Sequence, residues 1–142
     1  MVQRHHWRNF WLVTLALYAP SMTVAQERVP LTAVPGDAQR GLRLAIDTEK
    51  GNCVICHAIP GDAIPLGAAG DIGPPLHGVG GRYSPNELRQ RVVDPKALNP
   101  DTVMPSYHVT ENLHRVQDRY AGRPILTARE IEDIVAYLIT LQ

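Results

Sequence analysis

Residues 51–57 read Gly51-Asn52-Cys53-Val54-Ile55-Cys56-His57, and the C-x-x-C-H run inside them decides how the rest of the chain is read. Two thiols three positions apart can each add to one vinyl group of a haem, forming thioethers. The histidine that follows without a gap is then held under the iron as its proximal ligand. The chain has 2 cysteines, so one haem c consumes both. Other uses of the pair are weaker. A thioredoxin-like redox motif expects a neighbouring βαβ pattern, which is absent. A zinc site needs a second pair of ligands, and His108 and His114 stand wider apart than the usual spacing. A disulfide between Cys53 and Cys56 stays open for an oxidising compartment.

Outward from this motif the pattern is helical. Before it, Asp37 can cap a helix over residues 37–50, with Ala38, Leu42, Ala45 and Ile46 on one face and Gly51 as its end. After it, residues 58–81 carry clusters such as Gly73-Pro74-Pro75 and Gly80-Gly81, and no regular element fits. A second helix starts at Ser84-Pro85-Asn86-Glu87, a capping box with Pro at the first helical position, and stops at Asp94-Pro95. Leu88, Val92 and the aliphatic stem of Arg91 are its inward residues. The last helix opens with a capping box, Thr127-Ala128-Arg129-Glu130, and carries Ile131, Ile134, Val135, Leu138 and Leu141 on one face. There is no alternating strand pattern, internal repeat or low-complexity tract. The fold class is therefore all-α, three main helices and long loops.

Composition sets further bounds. At 142 residues the chain suits one domain, and 14 basic against 14 acidic side chains leave no cationic excess for phosphates, which excludes a strongly basic nucleic-acid binder. The N-terminus has the layout of a secretory signal: Arg4 and Arg8 without an acid, an apolar run over residues 10–19, then small residues Thr23-Val24-Ala25. That run is too short to cross about 30 Å of hydrocarbon. We expect residues 1–25 to be a cleaved signal peptide, the rival reading being an uncleaved anchor. The domain is then 26–142, with no membrane span, a periplasmic location and a charge of −2, from 12 basic and 14 acidic side chains. It keeps all 11 glycines and 11 of 12 prolines. Three short helices are a thin core against about 1–2 kcal/mol of backbone entropy per ordered loop residue. An apolar group is expected to fill the middle, which also favours haem.

Candidates for the sixth iron ligand are Met104, His77, His108 and His114. Met104 is the only methionine after residue 25 and sits in Asp101-Thr102-Val103-Met104-Pro105, where Pro105 pushes it away from helical dihedrals and stiffens its presentation. A lone Met is otherwise a core gap-filler. His108 is its best rival. The Pro74 carbonyl can take the second ring N–H of His57, Arg82 can pair with a haem propionate or simply be solvated, and His77 reads as structural.

These residues together resemble a class I cytochrome c over essentially the whole chain beyond the signal: CVICH at 53–57, GPPLHGVGGR at 73–82, VMP at 103–105 and IVAYL at 134–138. In that fold Gly41 resembles the glycine that lets first and last helices cross closely, and Tyr137 the packing aromatic. More narrowly, residues 51–62, 71–84, 88–107 and 122–141 look like the SoxX family, mono-haem subunits of SoxAX complexes of sulfur oxidation. His108 departs from that pattern, where an aromatic or non-ligating residue is expected. The resemblance implies one covalent haem c and a heterodimer with a SoxA-like cytochrome. That complex acts as an L-cysteine S-thiosulfotransferase on a SoxYZ-like carrier. This chain takes the released electrons and passes them to a downstream cytochrome acceptor. It would hold no catalytic residue, because no free thiol is left. The alternatives are a freestanding soluble mono-haem carrier and, less favoured given Met104, a five-coordinate haem that binds small gases.

Overall fold

The structure is a computed structural model, and it describes residues 29–61 and 70–142. The expected signal segment lies outside the described residues, as do residues 62–69 of the glycine- and proline-rich stretch. Among the described residues the regular structure is helical, with no strand: α1 Ala38–Ile46, α2 Val79–Arg82, α3 Pro85–Val93 and α4 Ala128–Thr140, joined by loops with single 3₁₀ turns at Cys53–Ile55, Pro95–Ala97 and Asp118–Tyr120.

Local chemistry sets most boundaries. Ser84 and Thr127 each accept from the backbone of the third helical residue, while Glu87 and Glu130 reach back to the cap, so both capping boxes form. Pro85 opens α3, which ends before Pro95 as expected. α1 is shorter than the expected 37–50. It stops at Ile46 because the Asp47 carboxylate accepts from the Glu49 amide (2.8 Å) and the Asp47 carbonyl from Lys50 and Asn52, a local turn that competes with continued helix. The loop expected over 58–81 contains the start of α2. That one-turn helix has no apolar period, and tertiary contact holds it: the Gly80 amide donates to the Leu141 carbonyl at 2.8 Å.

α4 is the central element, with α1, α2 and α3 packed on it. Ile131, Ile134, Val135 and Leu138 are buried along it, together with Ala45 of α1, Leu88 and Val92 of α3, and Leu126. Gly41 is buried where α1 crosses α4. A Cβ there would strike the Asp133 carbonyl and come within 2.7 Å of the Tyr137 Cβ, so only glycine permits this approach. Leu141 lies just past the end of α4 as its C-cap.

A polar layer that no sequence pattern marks lies at this crossing. Arg89, 3% exposed, grips Glu132, 6% exposed, in a two-pronged ion pair of 2.7 and 2.9 Å. Asp133 is gripped by Arg40 (2.9 and 3.0 Å) and takes the Asp37 amide at 2.7 Å. Arg89 is buried, a role its spacing did not mark; Arg91, whose stem is expected to turn inward, is half-buried, lines the same cavity as Leu88 and Val92 and lies over the Tyr83 ring at 3.9 Å.

Candidate functional site

A cavity of about 760 Å³ opens between the 51–57 segment and the 99–107 loop, lined among others by Cys53, Cys56, His57, Gly73 and Met104. That size lies within the roughly 300–1,000 Å³ of cofactor pockets, and Leu88, Val92, Ile134 and Leu138 of α3 and α4 also line it. The missing apolar filling of the core therefore has a place.

The thiol pair sits on a tight turn. Asn52 adopts a left-handed conformation (φ 44°), the 3₁₀ turn Cys53–Ile55 follows, and the amides of Cys56 and His57 both donate to the Cys53 carbonyl. The cysteines are not bonded to each other. Burial pushes the Cys53 thiol up to about 11, so before any covalent attachment it is a neutral thiol rather than a reactive thiolate. Among the described residues no group of three or more His, Cys, Asp or Glu side chains could hold a metal ion.

His57 is fixed by its surroundings. Its Nδ1 lies 2.7 Å from the Pro74 carbonyl; a carbonyl only accepts, so Nδ1 carries the hydrogen and Nε2 keeps the lone pair. Gly73 presses on the same ring: a Cβ there would fall 2.6 Å from Nδ1 and 2.9 Å from Nε2. The turn is braced by Arg82, whose guanidinium donates to the carbonyls of His77 (2.6 Å) and Pro75 (3.1 Å) while lining the cavity.

On the other segment Met104 is half-buried and lines the cavity. Its loop is held by Lys96 donating to the Thr102 carbonyl (2.9 Å), Thr102 Oγ1 accepting from the Met104 amide (3.2 Å) and Ser106 donating to Asp94 (2.8 Å). The three histidines that competed with it do not line the cavity: His77, His108 and His114 all lie off it. His108 is occupied elsewhere, its Nδ1 2.7 Å from the Leu126 carbonyl. Tyr107, which the sequence reading did not single out, is buried beside the cavity and donates to the Gly51 carbonyl at 2.6 Å; burial holds its phenol above its ordinary value, so it stays a donor.

Residues 38–142 match the family model Cytochrome c. The chain belongs to the cytochrome c family. A haem c fits the donor set of this cytochrome, with two unpaired thiols, an imidazole with Nε2 free to ligate, a thioether and an aliphatic cavity on one site. Among solved structures it is similar to the crystal structure of SoxXA from P. pantotrophus, at 36% identity and a TM-score of 0.72, over 80% of this chain and 88% of that one. It is thus a SoxX-type cytochrome, all-α, carrying covalently bound haem c and serving electron transfer. It is also 32% identical, over a 119-residue alignment that covers 74% of this chain and 50% of that protein, to an uncharacterized lipoprotein of Aquifex aeolicus (strain VF5), so the chain spans about half the length of this relative.

Proposed function

We propose that this cytochrome is the electron-accepting subunit of a periplasmic L-cysteine S-thiosulfotransferase of the SoxAX kind. The observation that carries the proposal is the meeting of both cysteines, His57 and Met104 on one cavity in a chain similar to SoxXA. When bound, haem c takes up and gives back one electron at its iron. Cys53 and Cys56 hold it by thioethers. His57, kept in tautomer and orientation by the Pro74 carbonyl, would hold the iron through Nε2, and Met104 would hold it through its thioether sulfur. A histidine–methionine pair raises the potential, which suits an acceptor. Arg82 braces the Pro74–Pro75 turn and brings a positive charge to the cavity for the haem carboxylates.

Joining a thiosulfate sulfur to a carrier cysteine sulfur releases two electrons. With both its cysteines committed, this chain has no thiol for that step, so the bond is made on a SoxA-like partner and the electrons leave through this subunit to a downstream cytochrome. Ile55, Ile72 and Val103 line the cavity yet are 62, 66 and 79% exposed, an apolar rim of the kind a partner covers. The protein works outside the cytoplasm, and residues 1–25 are its export signal; among the described residues no helix is long and apolar enough to cross a membrane.

The deciding experiment mixes the purified holoprotein with its SoxA-like partner, the carrier protein and thiosulfate, and follows haem absorbance. Reduction that requires all components, with co-purification of the two cytochromes, is expected. A chain that stays monomeric and oxidised would instead be a freestanding carrier. N-terminal sequencing of exported protein should find residue 26 first.

A further inference from the structure

Tyr107 stands three residues beyond Met104, and its hydroxyl donates across 56 sequence positions to the carbonyl of Gly51, two residues before Cys53. Both ends of this 2.6 Å bond are anchored. At one end the Tyr107 amide donates to the Val92 carbonyl of α3 (3.3 Å) and its carbonyl accepts from Leu126 (2.9 Å). At the other the Gly51 amide donates to the Leu44 carbonyl of α1 (3.0 Å). The ring between them is 7% exposed and lines the cavity. The other braces of the Met104 loop, Lys96 to Thr102 and Ser106 to Asp94, tie it to residues 94–96 and do not reach the 51–57 segment.

We propose that Tyr107 is a positioning residue, a strut that fixes the distance between the segment bearing Cys53, Cys56 and His57 and the loop bearing Met104. The inference rests on the assignment of His57 and Met104 as axial ligands. Iron held by residues 53–57 would be reached by Met104 from the other segment, so the gap between the two segments would set how firmly the thioether sulfur is held. A short bond between anchored groups keeps that gap constant. Removing the hydroxyl leaves a buried carbonyl unpartnered and takes away this tie between the two segments, each then held only through its own backbone anchors, without touching a ligand.

The test uses the full haem-loaded chain and imidazole as an external ligand competing for the distal position. Tyr107→Phe should keep its covalent haem content but bind imidazole at about tenfold lower concentration, the size expected from one lost hydrogen bond, with faster loss of the methionine–ferric absorbance band. Fluorotyrosine at position 107, a stronger donor of nearly the same shape, should shift imidazole binding the opposite way, and it decides the matter if Tyr107→Phe fails to accumulate. Arg40→Ala, which weakens the α1–α4 ion pairs away from the cavity, is the control for general softening. If Arg40→Ala loosens the distal ligand as much as Tyr107→Phe, or if neither Tyr107 variant shifts imidazole binding, the strut is wrong. Met104→Ala separates the two assignments: retention of the native six-coordinate spectrum overturns the ligand and the strut with it, whereas its loss, with Tyr107 variants like wild type, overturns the strut alone.

Discussion

His57 shows how much a single ring depends on neighbours it does not bond covalently. Its Nδ1 hydrogen is taken by the Pro74 carbonyl, and Gly73 packs against the ring so closely that even a methyl group would overlap it, 2.6 Å from Nδ1. Gly73→Ala should therefore turn the imidazole off the Pro74 carbonyl and cost about 1–3 kcal/mol of overpacking. Haem should still attach through Cys53 and Cys56. The expected outcome is a lower unfolding midpoint and a changed ferric spectrum and reduction potential, read by absorbance and redox titration; wild-type values for all three would contradict the contact. At this scale the sequence was informative where spacing fixes chemistry, as in C-x-x-C-H, and silent where facing matters. His108 rivalled Met104 by lying four residues on, and its place in the chain path, with Nδ1 2.7 Å from the Leu126 carbonyl and off the cavity that Met104 lines, could not be read from spacing. Tyr107 had no signal at all, because its partner is a backbone carbonyl far away in sequence.

At the scale of elements, α4 carries three acids that do different work, and helical periodicity could not tell them apart. Glu130 was legible as the third member of a capping box. Glu132 and Asp133 look like an ordinary solvated face until α3, α1 and residues 31–37 cover them, bringing Arg89, Arg40 and the amides of Leu31 and Asp37. Arg89→Ala strips the partner from a buried carboxylate and should cost about 3–5 kcal/mol in denaturant unfolding. Arg119→Ala, which breaks the pair with Glu49 whose side chains are 59 and 71% exposed, should cost at most about 1 kcal/mol; equal losses would mean that burial is not what gives Arg89 its weight. These acids also set the response to pH. Burial pushes the Glu132 and Asp133 carboxyls up, but Arg89 and the Leu31 amide for one, and Arg40, the Asp37 amide and Arg129 for the other, outweigh it and hold both below their ordinary values of 4.5 and 3.8. A lowered folded value means that stability is fully present above the ordinary value and lost as pH falls through the folded one. Thermal unfolding followed from pH 7 to 3 should thus be flat until about pH 5 and then fall, and Glu132→Gln should reduce that acid-dependent loss.

For the whole molecule the decisive quantity is the space at its centre. Three helices longer than two turns could be read from residue pattern, yet beside α3 and α4 a space of about 760 Å³ stays open between the 51–57 segment and the 99–107 loop, and the inadequacy of the aliphatic inventory was itself the sequence sign that something else belongs there. Leaving its apolar lining without a partner would weaken a core that already has little to spare against the roughly 5–15 kcal/mol by which domains are stable at all. The chain should therefore depend on its haem for tertiary structure rather than merely hold it. A Cys53→Ala/Cys56→Ala chain, unable to form thioethers, should keep part of its helical signal from the capped α3 and α4 when purified free of haem. It should have no cooperative thermal transition, and it should lose the fixed aromatic environment of Tyr107 and Tyr137 in near-ultraviolet circular dichroism. Added haem, bound without covalent bonds, should restore a transition whose midpoint rises with haem concentration, as binding to the folded state alone requires. A haem-free chain that melts cooperatively near the holoprotein would show that the helices pack without the cofactor, and the reading of an underfilled core would be wrong.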